Sequence, residues 1–437
     1  MTETTKPIGG AIDITIIAGT AAGAYHGQLR SASLVIERGS VMRSAKTFSR
    51  SRVVHLSARP SLSPAPARAK LEAWVNQYGV NSTSYVLLEG SKRYFTSPHI
   101  DGFLAYQVRA GVAVIGGDPV CTRRQAPELI RNFVAAMSGM TRCPVGAYQV
   151  SLHMRDAFRE AGFKDIQIGK EAIFDLSRFS LAGGPMELVR AATNKARREG
   201  VVVSEHRPFA LGAEPVNHEL RAISTEWLRT KGEHELGFLL GSLGLEQRSA
   251  KRYFIARSGG GAGRIEGFIV CEPIYGRNGY YLDVTRRRGD AVRGTMELLT
   301  CETLRLLWAE GYEMASMGLA PLALLDDPDL SSHPRLTSLM RFVYQRVNNN
   351  YDFKLLYRYK AKYHPHAWEP RYLCFNQKRL TPRMVYAVVQ VRNAISVGSL
   401  LRRNPKKEKG VEGKVRSWKH AASFVVGLCS ALLSSTS

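Results

Sequence analysis

Between Tyr280 and Gly311 the sequence sets a carboxylate, a group of arginines and a helical stretch in close succession. Asp283 lies near the end of an apolar run, Tyr280-Tyr281-Leu282-Asp283-Val284, and Arg286 follows three residues later. A carboxylate so placed can accept a proton from an attacking hydroxyl, or it can orient the arginine through a bidentate pair. Arg286, Arg287, Arg288 and Arg293 then crowd a loop ahead of an amphipathic helix over 296–308, with Met296, Leu299, Leu306 and Leu307 on one face. A strand, a basic loop and a helix N-terminus favour a phosphate, because free backbone N–H groups and the helix dipole both attract an anion. A solvated basic turn would carry the same residues.

A second group lies in YKAKYHPHAWEPRY, where Lys360, Lys362, Trp368, Glu369 and Arg371 fall close together. Lysines beside a carboxylate can stabilise a developing oxyanion or grip a phosphate, and a charged edge strand would look similar. His364-x-His366 has no third ligand at a familiar spacing, so no metal is expected. The helix carrying Arg190, Lys195, Arg197 and Arg198 reads either as a solvated face or as a track for a nucleic-acid backbone. Read literally, Arg286-x-x-Gly289-x-Ala291 also resembles the pyrophosphate-binding loop of acyl-CoA N-acetyltransferases, which keeps an acetyl-CoA enzyme as the alternative.

The elements that must position these residues form an alternating α/β pattern. The chain has 437 residues, 44 % of them apolar, enough to fill real cores and to exclude a wholly disordered chain. Residues 1–67 read as a basic, Ser-rich and flexible segment ending in the Pro/Ala signal SLSPAPARAK. A first α/β unit is expected over 68–200, with strands near 84–88, 103–108 and 111–115, a helix over 128–140, a strand in 161–176 and a basic helix over 186–199. A second unit is expected over 201–392, and both fit the domain-size prior. Residues 393–437 combine a polybasic run, Arg402 to Lys419, with Phe424-Val425-Val426 and Leu432-Leu433, which reads either as an interfacial anchor or as a disordered basic tail. The apolar stretch 421–433 would span only about 20 Å as a helix against roughly 30 Å of hydrocarbon. Six scattered cysteines without a Cys-x-x-Cys pair, and no secretory signal, suit reduced thiols in the cytosol.

With 61 Lys and Arg against 37 Asp and Glu, the formal net charge is +24. Such an excess points to an anionic partner, nucleic acid or membrane surface. The tail contributes eight basic and two acidic residues between Arg402 and Lys419, so most of the excess lies elsewhere.

Over about residues 70–385 the chain resembles the phosphatidylglycerol lysyltransferase family, specifically the soluble catalytic region of the multiple peptide resistance factor. The stretches that carry the likeness occur in the family's order: SPHIDGFLAYQV, GGDPV, GKEAIFDL, ELGFLLGSL, YYLDVTRRR, RGTMELL, MGLAPLALL and KAKYHPHAWEPRYL. The resemblance implies a mixed α/β fold of two tandem acetyltransferase-like domains and transfer of an aminoacyl group, lysyl or alanyl, from aminoacyl-tRNA to a lipid hydroxyl such as that of phosphatidylglycerol. Its Asp-x-x-Arg pattern falls on Asp283 and Arg286, and its lysine and Trp-Glu-Pro region falls on Lys360, Lys362, Trp368 and Glu369. Two departures stand out: Lys170 occupies a position where the family leads us to expect an acid, and the multi-helix membrane domain associated with lipid flipping is not seen.

The resulting expectation is a cytoplasmic aminoacyltransferase, peripheral on the inner face of the cell membrane. It would need no cofactor, because aminoacyl-tRNA is an already activated co-substrate. Asp283, Arg286, Lys360, Lys362 and Glu369 are its candidate catalytic residues. Arg287, Arg288, Arg293, Arg371 and Trp368 are candidates for substrate binding. Its partners are aminoacyl-tRNA and an anionic phospholipid surface. A transferase acting on a soluble amine or hydroxyl is the alternative; a non-catalytic RNA or membrane binder would explain the charge but not the ordered motifs.

Overall fold

The computed structural model describes residues 66–393 apart from 91, 142, 232–238, 240, 247–248 and 322–352. The expectations for residues 1–65 and for the basic tail from 394 lie outside the described residues.

In chain order the elements are α1 (Arg68–Tyr78), β1 (Arg93–Phe95), β2 (Leu104–Arg109), β3 (Val112–Gly116), α2 (Ala126–Thr141), β4 (Val145–Ser151), α3 (Leu152–Glu160), β5 (Lys164–Asp175) and α4 (Glu187–Arg198). There follow β6 (Val202–His206), α5 (Glu214–Lys231), β7 (Arg252–Arg257), β8 (Ile265–Ile274), β9 (Gly279–Arg287), α6 (Thr295–Ala309), β10 (Met314–Pro321), α7 (Phe353–Ala361), β11 (Ala367–Phe375) and α8 (Pro382–Asn393). The run at 84–88 is a turn and a 3-10 helix, Val86–Leu88, rather than a strand. Its apolar side chains are buried without pairing to a neighbour strand, a tertiary choice that β-propensity cannot register.

All eleven strands join one sheet in the order β1-β2-β3-β4-β11-β5-β10-β9-β8-β7-β6. The same unit occurs twice. Antiparallel strands (β2–β3, and β7–β8–β9) lead through a helix (α2, α6) into a strand parallel to the last of them (β4, β10). This is the mixed α/β class read from the sequence, built as one large mixed sheet from a repeated unit. The units are not sealed from each other, since β11 pairs with β4 on one side and β5 on the other, while β5 also pairs with β10. Of the two readings left open for YKAKYHPHAWEPRY, the charged edge strand is excluded, because its β11 part lies between β4 and β5.

Side-chain alternation builds the layers. Val112 and Val114 of β3 face α1 and α8, whereas Ala113 and Ile115 face α2 and α3. Phe254 and Ala256 of β7 face the α4/α6 core, and Tyr253 and Ile255 face α5. A residue period of two puts alternate side chains on opposite faces, so both faces of the sheet are covered.

Alternation breaks once in β9. Leu282 packs in the α4/α6 core, but Val284, two residues on, packs against α5. The register explains the break, because Cys271 pairs with Leu282 and Val270 with Val284, leaving Asp283 as an extra residue. A β-bulge re-aims the side chains around it, and here it turns Asp283 away from regular pairing.

Candidate active site

Parallel pairing of β9 with β10 ends at Tyr281 and Ser316. Asp283 stands two residues beyond this point, on the bulge. Its Oδ2 accepts the Gly241 amide at 2.7 Å. Three further groups surround it. Tyr281 bonds to its carboxyl, Lys251 pulls its pKa down, and Glu89 pushes it up. Burial is the largest influence, and Asp283 sits above the usual aspartate range although it is only half-buried. Dense surroundings combined with remaining solvent contact are what a reacting carboxylate in a cleft requires.

The sequence reading missed the groups around Asp283. Lys251, with 1 % of its side chain exposed, lies 2.5 Å from Glu89 Oε1 and 3.0 Å from Glu272 Oε1, and donates to the Ser242 carbonyl at 2.6 Å. Burial opposes its charge, but Glu272 and Glu89 hold its pKa above the ordinary lysine value. Three carboxyls thus share one ammonium. Glu89 is the nearer partner of Lys251, and burial pushes the Glu272 carboxyl up to about 8. One signal was available in the sequence: Glu272 interrupts the apolar run Phe268-Ile269-Val270-Cys271, and a charge inside such a run is rarely buried unless partnered. Nothing in the sequence joined it to Lys251 or Glu89.

A second buried network continues across the middle of the sheet. Arg371 on β11 pairs with Glu171 on β5 and lies 3.3 Å from Glu369; Glu171 also accepts from Ser316 Oγ on β10. Ser316 Oγ accepts the Gly318 amide at 2.8 Å, and Lys360 donates to the Gly318 and Leu319 carbonyls at 2.9 and 2.8 Å. Gly318 has φ +73°, and a Cβ there would lie 2.6 Å from the Tyr281 ring. Tyr281 therefore stands between the two networks, with Asp283 on one side and the irregular Ser316–Gly318 stretch of β10 on the other.

The remaining candidates divide. Arg286 is brought to the α5 side by the bulge, where it donates to Ser224 Oγ and lies over the Trp227 ring at 5.4 Å. Glu369 accepts both guanidinium nitrogens of Arg277 at 3.0 and 2.8 Å. Burial opposes its ionisation, yet Arg277 and Arg371 hold its pKa below the usual range. Lys362 pairs with Glu297 at 2.5 Å, and Trp368 stacks on Tyr357 at 5.0 Å. Arg371 is 1 % exposed, an internal counter-charge rather than a surface contact for substrate.

The arginine loop is also more structured than expected. Arg286 and Arg287 belong to β9, and Arg288 is engaged by the Ile265 carbonyl at 2.7 Å and Glu219 at 2.8 Å. Carboxylates already accept the Val292 amide (Glu266, 3.2 Å) and the Gly289 amide (Glu226, 3.4 Å). An acyl-CoA pyrophosphate would need such amides free, so this loop does not support the acetyl-CoA alternative. Arg287 and Arg293 are exposed. On the basic helix, now α4, Arg197 pairs with Glu302 at 2.6 Å and Arg190 caps the Leu181 and Gly183 carbonyls, while Arg198 is exposed. His366 Nδ1 accepts the Asp175 amide at 3.2 Å. Among the described residues no group of three His, Cys, Asp or Glu could hold a metal ion, and no helix is long and apolar enough to cross a membrane.

The family described as "Phosphatidylglycerol lysyltransferase, C-terminal" matches residues 72–375, a span that takes in both networks. The chain belongs to this phosphatidylglycerol lysyltransferase C-terminal family. It is 32 % identical over 323 residues to the lysylphosphatidylglycerol biosynthesis bifunctional protein LysX of Mycobacterium sp. (strain JLS), covering 71 % of this chain and 29 % of that protein. It is 29 % identical over 327 residues to the phosphatidylglycerol lysyltransferase of Bacillus subtilis (strain 168), covering 74 % and 36 %. The chain thus spans about a third of the length of these curated relatives. Among solved structures, L-PGS from Bacillus licheniformis superimposes with a TM-score of 0.64 at 26 % identity, covering 76 % of this chain and 97 % of that one. The C-terminal domain of a lysylphosphatidylglycerol synthetase from Agrobacterium fabrum shares the fold, with a TM-score of 0.63 at 23 % identity over 75 % of this chain and 98 % of that one.

Proposed function

We propose that this member of the phosphatidylglycerol lysyltransferase C-terminal family transfers the lysyl group of lysyl-tRNA to a hydroxyl of phosphatidylglycerol. The observation that carries the reading is Asp283. It is a half-buried carboxylate on a β-bulge beyond the last β9–β10 pair, held by burial above the usual aspartate range, in a chain matched by that family over 72–375.

In the proposed reaction the lipid hydroxyl oxygen attacks the carbonyl carbon of the aminoacyl ester. A new ester C–O bond forms as the C–O bond to the tRNA ribose breaks, and the proton lost by the lipid ends on that ribose oxygen. Asp283 takes the proton from the attacking hydroxyl and returns it to the leaving oxygen. Arg286, on the same side of β9, and Lys360, behind Gly318, supply positive potential as negative charge develops on the carbonyl oxygen. One ester replaces another, so no ATP enters this step and positioning supplies much of the rate. Exposed Arg198, Arg287 and Arg293 suit the phosphates of tRNA and of an anionic membrane surface. We place the protein peripherally at the cytoplasmic face of the membrane, where both substrates meet.

The test is incubation of the purified chain with labelled lysyl-tRNA and phosphatidylglycerol vesicles, followed by lipid chromatography. Label in lipid that is abolished by RNase pretreatment is the expected result. Label arriving only from alanyl-tRNA would change the amino acid, and no label in lipid from any aminoacyl-tRNA would overturn the reading.

A further inference from the structure

The segment that supplies the Gly241 amide to Asp283 is held mainly by a residue from the other unit. Glu89 follows the buried 3-10 turn Val86–Leu88 and precedes β1. Its Oε2 accepts the Ser242 amide at 2.9 Å and the Ser242 hydroxyl at 3.0 Å, and its Oε1 takes Lys251 at 2.5 Å. Lys251 closes the ring by donating to the Ser242 carbonyl at 2.6 Å. Nearby, the Tyr85 hydroxyl accepts the Ala250 amide at 2.9 Å, and Lys92 donates to the Val86 carbonyl at 2.7 Å and to the Glu89 carbonyl. Close approach of the segment to the acids depends on Gly241, because a Cβ there would strike both Asp283 Oδ2 and Glu272 Oε1.

We propose that Glu89 is a positioning residue for the transfer step: with Lys251 it clamps the Gly241–Ser242 segment so that the Gly241 amide stays on Asp283. The proposal rests on the transferase reading for its kinetic consequence and on geometry alone for its structural one. It makes the active carboxylate of the second unit depend on a side chain of the first. The groups facing Asp283 are Glu89 from the segment before β1, Lys251 from the segment before β7, Glu272 from β8 and Tyr281 from β9, while Lys92 faces Glu89 and Glu272. Among them, the Glu89 charge disfavours ionised Asp283, while Lys251 and the Gly241 amide favour it. Glu89→Gln removes the charge, keeps an oxygen for the Ser242 amide, and leaves Lys251 to Glu272 and Asp283. Asp283 should then titrate lower. Glu89→Ala also removes the acceptor and lets the segment drift.

The experiment uses the full chain. Infrared difference spectra against pH follow carboxyl protonation without any substrate, with Asp283→Asn assigning the band, and steady-state transfer is measured in parallel. The expected results are a downward shift of the Asp283 midpoint in Glu89→Gln and, in Glu89→Ala, a fall in kcat of about tenfold or more with KM for both substrates little changed. If Glu89→Gln does not fold, Ser242→Ala loosens the same clamp while keeping the Glu89 charge, and should lower kcat with the midpoint moving up. Folded variants that keep the wild-type midpoint and kcat would reduce Glu89 to a structural staple and overturn the proposal. A wild-type chain that titrates as described yet makes no aminoacyl lipid would instead overturn the transferase reading, leaving the clamp to be judged from the spectra.

Discussion

Asp283 and Arg371 are both charged and enclosed, yet their surroundings assign them different work. Asp283 keeps solvent contact, and its pKa is raised chiefly by burial, so its basic form appears only above the ordinary aspartate range. The acid limb of kcat/KM should therefore lie above that range, with activity rising as pH climbs through the raised value and falling below it. Asp283→Asn, which cannot take a proton, should lower the rate by about 10²-fold or more and abolish that limb, as a pH–rate series would show. Arg371 is sealed between Glu171 and Glu369. Replacing it with methionine leaves Glu171 buried without its counter-charge, a loss of about 3–5 kcal/mol measurable by urea unfolding. Unchanged stability would show that the Arg371–Glu171 pair does not support the fold.

At the scale of elements, β9 and β10 show what residue spacing alone could and could not convey. An apolar run followed by arginines was legible as a strand leading into helix α6, and Asp283 and Arg286 stood out within it. Regular alternation would send residues three apart to opposite faces; the bulge at Asp283 reverses the parity and brings both to the α5 side. Bulges arise from pairing with a neighbour, here β8, so sequence spacing carries no direct sign of them. Gly318 does similar work on β10. Its φ of +73° and the Tyr281 ring 2.6 Å from a Cβ make Gly318→Ala doubly unfavourable. That substitution should destabilise the fold by about 1–3 kcal/mol and depress transfer by moving Tyr281, measured by thermal unfolding alongside the lipid assay. Of the two readings open for the lysine-rich stretch, only the edge strand is excluded: Lys360 belongs to α7, and the adjoining β11 is central because it pairs with β4 and β5.

For the whole molecule, the two repeated units share strands across the middle of one sheet. A division near residue 200 separates α4 from β6, but β11 from the later part of the chain lies between β4 and β5 of the earlier part. Residues 68–200 expressed alone would leave β4 and β5 with unpaired facing edges, and such edges invite aggregation. The fragment should fail to give a cooperative unfolding transition, and a chain through residue 393 should restore it. A folded, monomeric 68–200 fragment would show that the exchange is dispensable. The Glu89–Ser242 hydrogen bonds join the same two parts, so stability and the proposed active carboxylate share one interface.

The sequence by itself determined the periodicities that make the α/β elements, the ordered motifs that carry the family likeness, and the prominence of Asp283, because these depend on residue type and near neighbours along the chain. Tertiary structure alone decided that Asp283 sits on a bulge, that Glu89, Lys251 and Glu272 gather around it, and that Glu369 and Arg371 serve an internal ion network. Each of those outcomes needs residues far apart in the chain to meet in a low-dielectric interior, where a neighbouring charge shifts a proton equilibrium that it would barely touch in water.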